Sequence, residues 1–349
     1  MKPLERTTLL CALAVLAYGC DSDRRLAGLG AAKTLRADVT AEDQQAYGPW
    51  GVPVNLGPVV NSPYNDQHPG ISKDGLSLYI SSDRPGGFGG LDIWVSQRES
   101  LGGAWGPPQN LGPEINSSGN DLAPDLTIDG HRMFFHSARA RGCGGTDLYV
   151  TRRRDRDDDF GWSAPENLGC TINSPENDAG PTFFEDDVTG ITTLIFTSLN
   201  RPGNIGDWDI YQSTLQPDGS WGPGVLIREL SSPSRDTRTA LRRDGLEIFL
   251  SSGRPGGQGS EDLWVSTRAS TLDLWGTPVN LGPTVNSTAF DGGPALSFDG
   301  TELYFFSNRL GGSGGNDLYV ATRHRLGGPD VAVGPKPETQ PRRGMGETE

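Results

Sequence analysis

"DGGPALSFDGTELYFFSNRLGGSGGNDLYVATR", residues 291–323, decides how the chain folds. Asp299-Gly300 reads as a tight turn after a short strand, and Leu303 to Phe306 reads as an apolar strand. A glycine-rich loop follows, then a third strand from Asp317 to Thr322. Inside the loop, Gly311-Gly312-Ser313-Gly314-Gly315 also fits G-x-S-x-G, the nucleophile elbow of serine hydrolases.

The same pattern recurs along the chain. Between its copies lies a second motif: "WGVPVNLGPVVNS" at Trp50 returns at Trp105, Trp162 and Trp275, with a weaker copy, "WGPGVLIRELSS", at Trp221. The steps are 55, 57, 59 and 54 residues. With the Trp-Gly-x-Pro-x-Asn-Leu segment as a fourth strand, each unit holds four short strands, the signature of a β-propeller blade. The chain opens on a lone fourth-strand segment, Trp50 to Gly57, and its last unit, Asp291 to Arg325, has three strands. The expected fold is therefore all-β: a five-bladed propeller over residues 49–325, closed by the N-terminal strand completing the last blade.

Pro294, Ser297, Asp299-Gly300, Leu303-Tyr304-Phe305, Ser307 and Arg309, followed by Asp317-Leu318-Tyr319, resemble the WD-like propeller repeat of the TolB family. The resemblance covers roughly 280 residues, recurs in every unit and implies the fold. TolB itself has six such blades and a separate small domain, so its partner contacts do not carry over.

Alignment of the glycine loops disposes of the nucleophile. Each begins with an arginine, has a glycine five places on and ends with an aspartate eight places on. The pairs are Arg84 and Asp92, Arg139 and Asp147, Arg201 and Asp209, Arg254 and Asp262, and Arg309 and Asp317. Ser313 falls at a variable place held elsewhere by Phe88, Cys143, Ile205 and Gln258, and a strand follows it where an elbow needs a helix. The glycine is expected to supply a positive φ for the turn. The arginine ends one strand and the aspartate begins its neighbour, so five structural ion pairs are expected across the loops; five ligand-binding pairs are the alternative. An aromatic two places after each aspartate (Trp94, Tyr149, Tyr211, Trp264, Tyr319) is expected in blade-to-blade packing.

A second aspartate precedes the first strand of each unit: Asp66, Asp121, Asp178, Asp236 and Asp291. These either cap their own turns or form a carboxylate ring at the channel mouth, able to hold a ligand or cation. Blade 4 breaks the common pattern by gaining Arg228, Arg235 and Arg238, and Arg235 and Arg238 are candidates for contact with an acidic partner or anionic ligand. His68 and Asp125 are further departures.

Composition narrows the function. Glycine (49) and proline (26) favour turns over long helices, and a formal charge of −14 argues against nucleic acid, which selects a basic face. The four histidines show no metal-ligand spacing. Asp155 to Glu166 places carboxylates as a calcium loop does, but Phe160 stands where that loop needs glycine, so no cofactor is expected beyond a marginal calcium reading. Residues 1–19 read as an export signal, and Ala17-Tyr18-Gly19-Cys20 resembles the lipobox of bacterial lipoproteins, with Ala17 in place of the usual leucine. Cys20 would then be lipidated, residues 20–48 would be a flexible tether, and residues 326–349 a disordered tail. In an exported protein Cys143 and Cys170 suggest a disulfide.

The expectation is a monomeric, non-catalytic lipoprotein, held to a bacterial membrane by its anchor and facing the periplasm or cell exterior. Its loop face would bind an envelope protein or cell-wall polymer. The alternative is a carbohydrate-active, glycosidase-like enzyme using Asp125 and the aspartate ring.

Overall fold

In the computed structural model, which describes residues 47–326, five four-stranded antiparallel sheets follow one another along the chain. Blade 1 holds β2 (Asp66–Ile71), β3 (Ser77–Ser82), β4 (Asp92–Gln97) and β5 (Gln109–Asn110). Blade 2 holds β6 (Asp121–Leu126), β7 (Arg132–Ser137), β8 (Asp147–Arg152) and β9 (Glu166–Asn167). Blade 3 holds β10 (Asp178–Glu185), β11 (Thr192–Leu199), β12 (Trp208–Thr214) and β13 (Val225–Leu226). Blade 4 holds β14 (Asp236–Leu241), β15 (Glu247–Ser252), β16 (Asp262–Thr267) and β17 (Val279–Asn280). Blade 5 holds β18 (Asp291–Leu296), β19 (Glu302–Ser307) and β20 (Asp317–Thr322), and is completed by β1 (Val54–Asn55). Val54 pairs with Val320 and Asn55 with Tyr319, so the first strand closes the ring on the last blade. The described residues contain no α-helix.

The outer strands are two residues long, shorter than the repeat that encodes them. A proline precedes four of them (Pro53, Pro108, Pro165, Pro278) and cannot donate to the ladder. After the pair, the asparagine turns the chain away: Asn55 Oδ1 accepts the Gly57 N–H at 2.8 Å.

Five apolar clusters hold the blades, one at each boundary. Tyr79, Ile93 and Val95 of blade 1 meet Met133, Phe135 and Tyr149 of blade 2, and the other four boundaries repeat the arrangement. Trp94, Tyr149, Tyr211, Trp264 and Tyr319 all lie in these cores. Full burial of one such side chain is worth about 1.5–3 kcal/mol.

Two expectations about the loops are corrected. Each loop arginine pairs with the aspartate that opens the first strand, not with the one at the loop's end. Arg84 meets Asp66, Arg139 meets Asp121 at 2.7 Å, Arg201 meets Asp178 at 2.8 Å, Arg254 meets Asp236 at 2.6 Å and Arg309 meets Asp291 at 2.5 Å. Asp92, Asp147, Asp209, Asp262 and Asp317 instead gather the backbone N–H groups of their own glycine loops; Asp317 takes those of Ser313 (2.5 Å) and Gly314 (3.2 Å). Ser313 therefore serves as a backbone donor. The second correction concerns the glycine five places after the arginine. It does not supply the positive φ, which in four loops belongs to Gly86, Gly203, Gly256 and Gly311. It lets the next blade's backbone approach: a Cβ on Gly259 would lie 1.7 Å from the Ala289 carbonyl oxygen.

Cys143 and Cys170 form a disulfide, Cα to Cα 5.4 Å, tying the blade 2 glycine loop to the connector that follows.

Candidate functional site: the axial funnel

The first strands run around the axis, and each carries a bulge in the same place. Two residues after the buried aspartate the backbone turns left-handed: His68 (φ 47°), Ala123 (φ 58°), Gly180 (φ 59°), Arg238 (φ 29°) and Gly293 (φ 63°). Glycine adopts this freely; other residues do so at a cost of order 1 kcal/mol. The strained blades thus hold His68, Ala123 and Arg238 where glycine would be easier, and a strained non-glycine residue facing a cavity is a pointer to function.

The bulge also links blades. The left-handed residue of one blade donates its N–H to a second-strand side chain of the blade before: Ala123 to Ser81 Oγ (3.1 Å), Gly180 to His136 Nδ1 (3.2 Å) and Gly293 to Ser251 Oγ (2.8 Å). Because His136 Nδ1 accepts, its proton resides on Nε2. His136 is held neutral, its pKa lowered to about 3 by burial and by the Arg238 charge.

On the glycine-loop side the ring opens into a funnel of about 630 Å³. Its wall carries amide and hydroxyl side chains, among them Gln67, Asn120, Asn177, Asn308 and Asn316, with Trp208 and Phe290 as aromatic faces. Arg238 crosses its floor: from blade 4 it donates to the carbonyls of Ala123 (2.8 Å) and Pro124 (3.1 Å) in blade 2 and Pro69 (3.2 Å) in blade 1. At the rim, Arg235 is half exposed, lies 5.6 Å from the Trp208 ring centre, and pairs with Glu261 at 3.2 Å.

Glu261 is the group that sequence reasoning missed. It occupies the place just before the loop aspartate, where other blades carry Leu91, Thr146, Trp208 and Asn316. Thr146, Trp208 and Asn316 line the funnel, and Glu261 sits against its wall residues Arg235 and Thr237. Burial pushes its carboxyl up to about 7, against the pull of Arg235 and with help from the charges of Asp236 and Asp207. Being the one carboxylate in that column was the available signal.

The predicted site residues divide. Arg235 and Arg238 both line the funnel, but Arg238 is buried at its floor, out of reach of a partner docked on the outer loop face. Asp66, Asp121, Asp178, Asp236 and Asp291 do not form an open carboxylate ring. Each is fully buried and accepts the N–H and hydroxyl of a serine four residues earlier, besides its arginine, as Asp121 does from Ser117 at 2.6 and 2.8 Å. These carboxylates are turn caps shared with an ion pair. Asp125 is not among the residues that line the funnel, and its Oδ2 accepts the Phe183 N–H at 2.7 Å. In the calcium-like run, Asp159 is buried and accepts from Ser77 (2.6 Å), Tyr79 (2.6 Å), Gln97 (2.6 Å) and Arg153 (2.8 Å). Among the described residues no group of three His, Cys, Asp or Glu side chains is placed to hold a metal. Cys20 lies outside the described residues.

No protein-family model matches the chain, and no curated protein matches it. Solved structures with the same fold do. The α-L-arabinofuranosidase of Lactobacillus brevis is 17% identical over 77% of this chain and 92% of its own, with a TM-score of 0.54. A thermostable family-43 glycoside hydrolase is 13% identical over 83% of this chain and 100% of its own, at 0.53. The catalytic domain of a GH62 α-L-arabinofuranosidase from Coprinopsis cinerea is 13% identical over 79% and 98%, at 0.50. At these identities the likeness is one of fold. It corrects the family resemblance, because these structures are glycoside hydrolase propellers and not TolB-type ones. The expectation of a non-catalytic, protein-binding scaffold is overturned with it.

Proposed function

We propose that the chain is a carbohydrate-active enzyme that takes a glycan into the axial funnel and hydrolyses a glycosidic bond there. The carrying observation is the funnel wall, where amides and hydroxyls surround a half-buried tryptophan. An amide offers a donor and an acceptor at the spacing of neighbouring sugar hydroxyls, while an aromatic face receives the apolar C–H face of the ring. That the similar folds are named as arabinofuranosidases and a glycoside hydrolase supports the reading.

Hydrolysis needs an acid that is still protonated near neutrality and a second carboxylate. Glu261, raised to about 7, suits the acid: it protonates the leaving oxygen once Arg235 moves aside. Asp207, whose charge reaches Glu261 from the neighbouring loop, is our candidate base for activating water. Export and lipidation at Cys20 would place the funnel where polymeric glycans are met; incorporation of radiolabelled palmitate, lost in Cys20→Ser, tests the anchor.

The test incubates the full chain with a panel of plant and bacterial polysaccharides and measures new reducing ends. Release by the natural protein, falling at least 100-fold in Glu261→Gln while glycan binding persists, is the expected result. Absence of both release and binding across the panel overturns the reading.

A further inference from the structure

The floor of the funnel carries a positive charge that no described residue meets in an ion pair. The half-buried loop arginines each meet a carboxylate, and so do the buried Arg153, Arg242 and Arg323. Arg238 is 3% exposed and, among the described residues, is held by three backbone carbonyls. Its Nε is buried with no hydrogen-bond partner. The one carboxylate whose charge it feels is Asp125, already bonded to the Phe183 N–H. A buried guanidinium without a counter-ion is costly, because desolvation is not offset by an opposite charge.

A second unsatisfied nitrogen lies in the same funnel. His68 Nδ1 is buried without a partner, its ring 6.3 Å from that of His136 and 5.0 Å from that of Phe306. His68 and Arg238 occupy equivalent left-handed positions of blades 1 and 4, so both are held there against a backbone preference. Neutral imidazole with its proton on Nδ1 is a donor, as is the guanidinium Nε–H. An unused guanidinium donor, a ring nitrogen able to donate as its Nδ1–H tautomer and a positive charge outside any ion pair define a site for a monoanion with two acceptor oxygens. The planar carboxylate meets that description; a phosphate dianion calls for more charge than one arginine supplies.

The geometry points to an acidic glycan as the ligand: a uronic-acid unit whose carboxylate docks on Arg238 and His68 at the funnel floor while its hydroxyls meet the amide wall. This rests on the glycan reading of the funnel and narrows it to a substrate class. It also accounts for cationic funnel residues on a chain of net charge −14, which would otherwise repel such a polymer.

The test is calorimetric titration of the full-length protein with trisaccharides of galacturonate, glucuronate and mannuronate, each beside its carboxyl-reduced neutral counterpart. At least one acidic trisaccharide should bind tenfold or more tightly than its reduced form, and Arg238→Gln, which keeps a donor but no charge, should bring the two together. The comparison within the natural protein needs no variant, so poor folding of Arg238→Gln does not spoil it. Equal binding of acidic and reduced forms overturns the carboxylate site and leaves the glycan reading standing. Displacement of the acidic trisaccharide by equimolar succinate also overturns it, since the site would then read any carboxylate. Failure of every trisaccharide to bind overturns the carboxylate site, and the glycan reading falls with it only if the polysaccharide panel is also neither bound nor cleaved.

Discussion

Arg235 Nε and Glu261 Oε1 stand 3.2 Å apart at the funnel rim, and the arginine is half exposed while the glutamate is buried. The pair is lopsided: Glu261 has lost its water, and a half-exposed, solvated cation makes up only part of the loss. Its carboxyl consequently stays protonated to about pH 7. If Glu261 is the acid, turnover should fall as pH rises above 7, roughly tenfold per unit, and this limb should vanish in Glu261→Gln along with most activity. A pH–rate profile checks both.

The same shift fixes a stability prediction. The folded protein holds the Glu261 proton between the ordinary value of 4.5 and about 7, where the unfolded chain has released it. Stability from this group is therefore present below 4.5 and is lost as pH rises to about 7. The full effect is on the order of 3 kcal/mol. Subtracting the urea-denaturation profile of Glu261→Gln from that of the natural protein isolates it, since the buried histidines contribute to both.

Asp121→Ala should destabilise by about 1–3 kcal/mol, because it strands Arg139 and the Ser117 N–H in a partly buried setting. A double-mutant cycle separates the two possible pairings: Arg139 should couple to Asp121 by more than about 1 kcal/mol and to Asp147 by far less.

Gly259→Ala should cost at least about 2 kcal/mol, since its methyl would enter the carbonyl of Ala289. Gly282→Ala, at φ 77° in open space, should cost only about 1 kcal/mol. Thermal melts of the two variants compare close approach with backbone conformation directly.

Reduction of Cys143–Cys170, which closes a separation of 27 residues, should lower stability by about 3 kcal/mol. Melting curves with and without a reductant give the difference.

The architecture was legible because five imperfect copies expose their common part. Blade count, strand order and closure by the first strand all follow from where the tryptophans and Asp-Gly turns fall. The ion pairs were misread for a reason built into the sheet. Ser82 lies opposite Asp66 on one side and Asp92 on the other, so Arg84, two residues on, has two carboxylates within reach. Only the structure shows that Asp92 is already taken by loop N–H groups. The site was half legible: blade 4's extra arginines marked the funnel, yet the bulge that aims Arg238 at the axis leaves no sequence mark, since its column mixes His, Ala, Gly, Arg and Gly. Glu261 hid because an acidic residue beside the loop aspartate looks ordinary until its burial is known.

Closure by β1 has a mechanical consequence. The strand runs antiparallel to β20, so the entering end of one lies beside the leaving end of the other, as the contact between Tyr47 and Arg325 shows. A pull applied between those two residues opens the Gly48–His324 bond first, then Gly51–Thr322, and reaches Leu56–Leu318 last. The load falls on one bond at a time instead of being shared in shear. A ring whose heat stability rests on five apolar cores therefore comes undone, under tension, like a zip at its clasp.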